Sequence, residues 1–327
     1  MTRFLLRRLL FGLPTLLGIT LVTFALSRLA PGGPLSDLLD PEQGRAVTKE
    51  QLAATEQLLG FDRPLAEQYG TWLSSALRFD FGRSLTTDRL PVAEKIAAAA
   101  AVSLKLQGAA VVLLYGLGIP LGVFAAARVG TLRERLLSGL LFLLQAMPTV
   151  VIGALLLAAF ARGPFAWLPL AGLETPGAEE RSAAARFLDQ LHHLVLPVAC
   201  LVLAGISGIA LYTRAGVVEA LRQPWIRAAR ARGLPEWRIR CVHALKSGIL
   251  PLVALLGGLL PWLVGGSVAV ETLFSLPGLG RLTVDSIAAR DYPTVMALSL
   301  LVAGATWLGF LLADLLHAAL RRGELDA

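Results

Sequence analysis

The chain has 327 residues and a formal net charge of +7; 55% of its residues are hydrophobic and only 16% are charged. A soluble domain carries roughly 25% charged residues, so this composition, with a mean hydropathy of +0.67, excludes an ordinary water-soluble globule and makes lipid the solvent. Two cysteines, Cys200 and Cys241, exclude a disulfide framework.

A helix needs ~20 apolar residues to cross the hydrocarbon core, and six windows qualify: Leu9–Ser27, Leu106–Ala127, Leu136–Ala161, Leu194–Thr213, Ser247–Val270 and Tyr292–Ala313. Their Leu, Ala and Gly content shows little strand-type alternation, and helices satisfy their own backbone in lipid. The expected fold is therefore an all-α membrane protein of six transmembrane helices. The first window follows Arg3, Arg7 and Arg8 and holds 19 charge-free residues. That exceeds the ~7–15 of a cleavable signal, which favours a retained anchor over residues 1–30.

Residues 31–97 read as an excursion outside the membrane, with turns at Pro31-Gly32-Gly33-Pro34 and Asp40-Pro41. Short amphipathic helices are expected at Lys49–Leu59 and Leu65–Leu77, separated by Gly60-Phe61-Asp62-Arg63-Pro64. The remainder, 98–327, is a five-helix core. Lys105 at the edge of the second window is expected to snorkel to the interface, and Asp314 to mark the exit of the last helix.

Lys and Arg are distributed unevenly. The N-terminus, the 128–135 loop, the 214–246 loop and the C-terminus hold 16, whereas the short loops 162–190 and 271–291 hold 5. Basic residues collect on the cytoplasmic side of short loops, so both termini are expected to be cytoplasmic. The positive charge is a topology signal, and nucleic acid is not an expected partner.

The 214–246 loop carries ordered signals. Pro224 suits the first turn of a helix and Gly233 the left-handed residue past its end. Arg230 and Arg232 suit the negative end of the dipole between them. Leu234-Pro235 restarts a second helix, from Pro235 to about Lys246. Small residues at Ala228, Ala229 and Ala231 leave room for close approach by a partner. By physics alone, a basic helix pair resting on anionic headgroups explains the loop equally well.

Glu271 stands at the far end of the fifth window, where a carboxylate is costly and often functional. It either lines the outer mouth or caps the turn that follows. Gly205-Ile206-Ser207-Gly208 with His317 has the form of an intramembrane serine protease, but Gly and Ser also serve helix packing, and the second window supplies no His or Asn for an oxyanion. No catalytic residue is assigned. His192 and His193 are adjacent and point about 100° apart on a helix, so no metal site is assigned either. No Gly-x-x-x-x-Gly-Lys-Ser/Thr sequence cradles a phosphate, and no internal repeat supports a secondary transporter.

Arg-Ala-Ala-Arg-Ala-Arg-Gly at 227–233, followed by His243-Ala244-Leu245-Lys246 and Ile249-Leu250-Pro251, resembles the EAA loop of binding-protein-dependent ABC importer permeases, in the dipeptide, oligopeptide and nickel branch. Arg227 replaces the acidic first residue of the general pattern, and Pro251 lies further from Gly233 than that pattern has it; both departures resemble the peptide branch. Further matches run along the chain: Arg3 to Leu10 with Pro14 to Gly18, Leu29-Ala30-Pro31-Gly32, Phe61-Asp62-Arg63-Pro64 with Gln68-Tyr69, Phe81-Gly82-Arg83-Ser84-Leu85, Gly118-Ile119-Pro120-Leu121-Gly122, Glu271 to Gly280 and Arg290-Asp291-Tyr292-Pro293.

The resemblance implies a type I ABC importer permease fold in a bacterial inner membrane, forming half of a translocation path. It implies as partners a second permease, two ATP-binding subunits and an extracytoplasmic solute-binding protein. ATP and Mg would be bound by partner subunits, with no cofactor in this chain. Arg227, Ala228, Ala229, Arg230, Gly233 and Leu234 would form the ATPase-coupling loop, and Glu271, Pro277, Gly278 and Gly280 a periplasmic gate. Peptides, nickel chelates or another small solute remain as cargo.

Overall fold

A computed structural model describes residues 2–29, 63–161 and 167–325. The expected helix at Lys49–Leu59 and the turns before it lie outside the described residues. Among the described residues the α-helices are α1 (Thr2–Leu29), α2 (Leu65–Ala76), α3 (Val92–Ala126), α4 (Leu132–Ala146), α5 (Thr149–Phe160), α6 (Ala183–Leu221), α7 (Pro224–Ala231), α8 (Glu236–Arg238), α9 (Leu245–Gly248), α10 (Leu250–Leu255), α11 (Leu259–Gly265), α12 (Val268–Leu273), α13 (Leu279–Ala288) and α14 (Tyr292–Leu325). A π-helical turn, Ile239–Ala244, joins α8 to α9. Among the described residues the only β pairing is one isolated bridge, Arg83 with Pro91.

Among the described residues, five stretches are long and apolar enough to cross a membrane: Gly12–Leu29, Val92–Ala126, Ala183–Leu221, Leu252–Leu273 and Tyr292–His317. The expected third span, Leu136–Ala161, is instead a helix pair, α4 and α5, bent by 103°. Pro148 explains the break. The residue before a proline avoids helical geometry, and Met147 has φ −83° and ψ 128°. α5 then restarts with Val151 and Ile152 donating their N–H groups to the Pro148 carbonyl. Counted as one broken span, the pair brings the total to six. The fifth span is also interrupted, by a 3-10 turn at Leu256–Gly258 and by Gly266 at φ +72°.

The chain divides into two compact units, residues 1–100 with 282–307, and residues 101–281 with 308–327. In the first, Phe24 of α1 is buried against α2, edge-on to Tyr69 at 5.4 Å and tilted against Trp72. Thr20 Oγ1 and the Tyr69 hydroxyl share a 2.8 Å hydrogen bond. The 81–91 loop closes by Val92 N–H to Gly82 O and Ser84 N–H to Leu90 O.

The second unit is built around α6. Leu106, Ala110 and Leu114 of α3, Leu141 of α4, Ile152 of α5, Leu194, Leu201 and Ile206 of α6, and Val270 and Phe274 form one buried cluster. In lipid, packing and not the expulsion of water brings helices together, and small residues permit close approach. α6 and α9 show this at its limit: a Cβ on Gly216 would lie 2.1 Å from the Gly248 carbonyl oxygen.

Candidate functional site

The 214–246 loop begins where α6 ends at Leu221. Gln223 turns extended and α7 starts at Pro224, whose missing N–H costs nothing in a first turn. The helix ends on Gly233, at φ +76°. Gly233 donates its N–H to Arg230 O (2.9 Å) and Leu234 donates to Ala229 O (3.3 Å), which is the double bond of a Schellman ending. Ala229 and Leu234 supply its apolar contact, both packing on a cluster of Val123, Ala126, Val217, Ala220, Ile226, Ile239 and Ala244. Ile226 and Ile239 have no exposed surface. The tip is thus a folded knob on an apolar base.

Arg227, Ala228, Arg230 and Gly233 are exposed, whereas Ala229 and Leu234 are half-buried. The six expected coupling residues therefore come together at one tip, and two of them face its own base. Arg230 Nε donates to Glu236 Oε1 at 2.7 Å, and Arg240 reaches the other carboxylate oxygen at 3.0 Å. The Arg230 hydrogen bond is the main cause holding the Glu236 carboxyl below the usual carboxylate range. Trp225, two residues before Arg227, and Trp237, which precedes Arg238, are both exposed.

At the root of the loop, Arg214 forms an ion pair with Glu134 at 2.7 Å. Thr131 and Glu134 begin a helix in capping-box spacing, with the Thr131 side chain accepting the Glu134 N–H. That Thr-x-x-Glu spacing is legible in sequence; its arginine partner, 80 residues on, is not.

The second cluster surrounds Glu271, whose surface is wholly buried. Oε1 accepts Ser103 Oγ (2.8 Å) and the Ser267 N–H (3.1 Å), and Oε2 accepts the Arg281 N–H (3.0 Å). Ser103 Oγ in turn accepts the Leu279 N–H at 2.7 Å. Gly278 has no room for a side chain: its Cβ would lie 2.5 Å from the Glu271 carboxyl carbon. Gly280 is buried against Val268 and the same carboxylate, and Pro277 is exposed. The turn is also tied to the 172–193 region, because Gly172 donates its N–H to Phe274 O. There Asp189 accepts both the N–H and the hydroxyl of Thr175, and His193 Nδ1 meets Gly172 O at 3.0 Å.

Ser207 Oγ is buried without a hydrogen-bond partner among the described residues, so no Ser207–His317 dyad is assembled there. His192 is exposed while His193 is buried. Lys105 Nζ reaches Gln190 Oε1 at 2.9 Å.

Residues 118–324 match the family described as binding-protein-dependent transport system inner membrane component. The chain belongs to this family. Residues 1–90 of the permease match the N-terminal membrane component of the same transport systems. The permease is 35% identical over 318 residues to the oligopeptide transport system permease protein AppB of Bacillus subtilis, covering 97% of this chain and 98% of the relative. It is 33% identical to the dipeptide transport system permease protein DppB of Escherichia coli (97% of each chain) and 34% identical to the oligopeptide transport system permease protein OppB of Salmonella typhimurium (98% of each).

Sequence reasoning missed the buried carboxylate of Asp291 in the first unit of the permease. It accepts Ser84 Oγ (2.6 Å), the Leu85 N–H (3.0 Å) and Thr294 Oγ1 (2.6 Å), with Lys95 Nζ 3.8 Å away. Phe81 to Leu85 and Arg290 to Pro293, two separate stretches of the family resemblance, are therefore one hydrogen-bonded structure. The contact spans 207 positions, and no local pattern announces it.

Proposed function

We propose that this permease is one of two membrane subunits of an ATP-driven peptide importer, with both termini in the cytoplasm. The named cargo of its relatives, dipeptides and oligopeptides, supports the substrate class. The observation that carries the coupling role is the tip at 227–233: a Schellman-closed helix end on an apolar base, with Ala228 and Gly233 outward. Such a tip fits a groove on an ATPase subunit. Cargo would be delivered by a solute-binding protein on the other face, where the Glu271–Gly280 turn forms the gate. Nucleotide-driven closure of two ATPases then shifts the permease pair between conformations that differ in affinity for those partners.

Reconstitution in liposomes with a second permease, the ATPases and the binding protein tests this reading. Peptide uptake must require all four components and ATP, and the isolated chain must turn over no ATP. ATP turnover by the chain alone, or uptake independent of nucleotide, would overturn the proposal.

Exposed Trp225 and Trp237 favour a second reading of the loop. Tryptophan beside arginine suits the headgroup layer, so the loop would rest on lipid instead of on an ATPase.

A further inference from the structure

Gln107 lies in α3 one helical turn beyond Ser103, and both side chains are fully buried. Ser103 is satisfied, by Glu271 and the Leu279 N–H. Gln107 is not: neither Oε1 nor Nε2 meets a hydrogen-bond partner among the described residues. Adjacent Leu106 and nearby Ala110 belong to the apolar cluster centred on α6.

A primary amide offers two donor hydrogens and an acceptor oxygen, and buried side-chain amides are ordinarily hydrogen-bonded. An orphaned one costs more than an apolar group of the same shape. Methionine is unbranched, of similar length, and fills apolar gaps readily, so packing alone gives no reason for glutamine here. A group without partners in one conformation biases the molecule toward any other in which it gains them.

We propose that Gln107 is a polar lining residue of the translocation pathway, hidden in this conformation and exposed to water when α3 separates from the core during transport. This rests on the reading of the chain as an importer permease. The conformation described is then closed at the depth of Gln107. The amide serves two ends: it destabilises the closed packing, and it presents to the open path a donor and an acceptor that match a peptide backbone.

The test is state-dependent thiol labelling of the complete reconstituted complex. Cys241, the exposed native cysteine, is first replaced by serine; Cys200 is buried. Gln107→Cys is then treated with a water-soluble methanethiosulfonate, without nucleotide and during turnover with ATP and peptide. Labelling during turnover is expected to be about tenfold faster or more, as for a site hidden in most resting molecules. Equal rates in the two conditions, or no labelling in either, overturn the proposal. If the parent complex takes up peptide while the labelling rates are equal, only the Gln107 inference fails; if it takes up none, the importer reading itself fails.

Gln107→Met gives a second measurement. It should raise the apparent unfolding temperature by about 1–2 °C, the scale of ~1 kcal/mol gained in a chain of 327 residues, and lower uptake severalfold. A lower unfolding temperature with unchanged uptake would mean that a resident water satisfies Gln107, and would overturn the proposal. Leu106→Met, a volume-conserving change next to it, should move uptake little.

Discussion

Glu271 and Asp291 have no exposed surface, yet their charges are compensated differently. Asp291 has an ammonium 3.8 Å away, on Lys95, besides three hydrogen-bond donors. The donors found for Glu271 are one serine hydroxyl and two backbone N–H groups. The two backbone N–H groups, of Ser267 and Arg281, are fixed in direction and cannot accept. Glu271→Gln would turn amide hydrogens toward groups that also donate, leaving at least one unmade bond at a cost of about 1–3 kcal/mol. Gly278→Ala would drive a methyl into the carboxylate at 2.5 Å, and overpacking of this kind costs typically ~1–3 kcal/mol. Both variants should unfold several degrees below the parent in a detergent melt. Glu271→Gln with an unchanged melt would show that the carboxylate is not what holds the turn.

At the scale of elements, the 214–246 loop separates its two readings experimentally. Gly233→Val places a β-branched residue at φ +76°, where an L side chain is strained. Ala228→Trp adds bulk on an exposed position without disturbing the apolar base, whereas Ala229 packs on that base. Docking on an ATPase predicts that Gly233→Val and Ala228→Trp abolish ATPase co-purification while Arg227→Ala is mild. Attachment to headgroups predicts the reverse order, read in the same pull-down.

The loop also has a pH signature. The folded Glu236 carboxyl is depressed, chiefly by Arg230, so its stabilisation is present above the unfolded carboxylate value of about 4.3 and is lost as pH falls through the lower folded one. The hydrogen-exchange protection factors of residues 227–240, taken relative to the intrinsic rate at each pH, should be flat from neutral pH down to about 5 and fall only below about 4. Because the pair is exposed, the effect should be small and weaken with salt.

Pro224, Gly233 and Pro235 made the loop legible in sequence, because each acts through its own backbone. Ala229 looked like part of the outer surface, and only the packing of Ile226 and Ile239 turns it inward. The break at Met147-Pro148 could have been read from the proline, but the unbroken apolarity of Leu136–Ala161 outweighed it. What sequence could not supply was pairing across distance, as between Ser84 and Asp291 or between Glu134 and Arg214.

Across the whole molecule, orientation is the property that the charge distribution predicts and that labelling can check. Cys241 is exposed and lies in the 214–246 loop. A membrane-impermeant maleimide should modify it in inside-out vesicles and spare it in intact spheroplasts. Modification only in spheroplasts would place the loop, and its arginines, on the outer face.

The backbone contact of Gly216 with Gly248 has a mechanical consequence. Where side chains separate two helices, a push on one is first absorbed by rotamers. Here α6 and α9 meet with no side chain between them, so the joint has no slack. On the coupling role proposed above, a load applied at the tip would pass to the long α6 helix through this point, with the pair of glycines as its fulcrum. An alanine at either position would lengthen the joint and blunt the stroke, even where the tip still grips its partner.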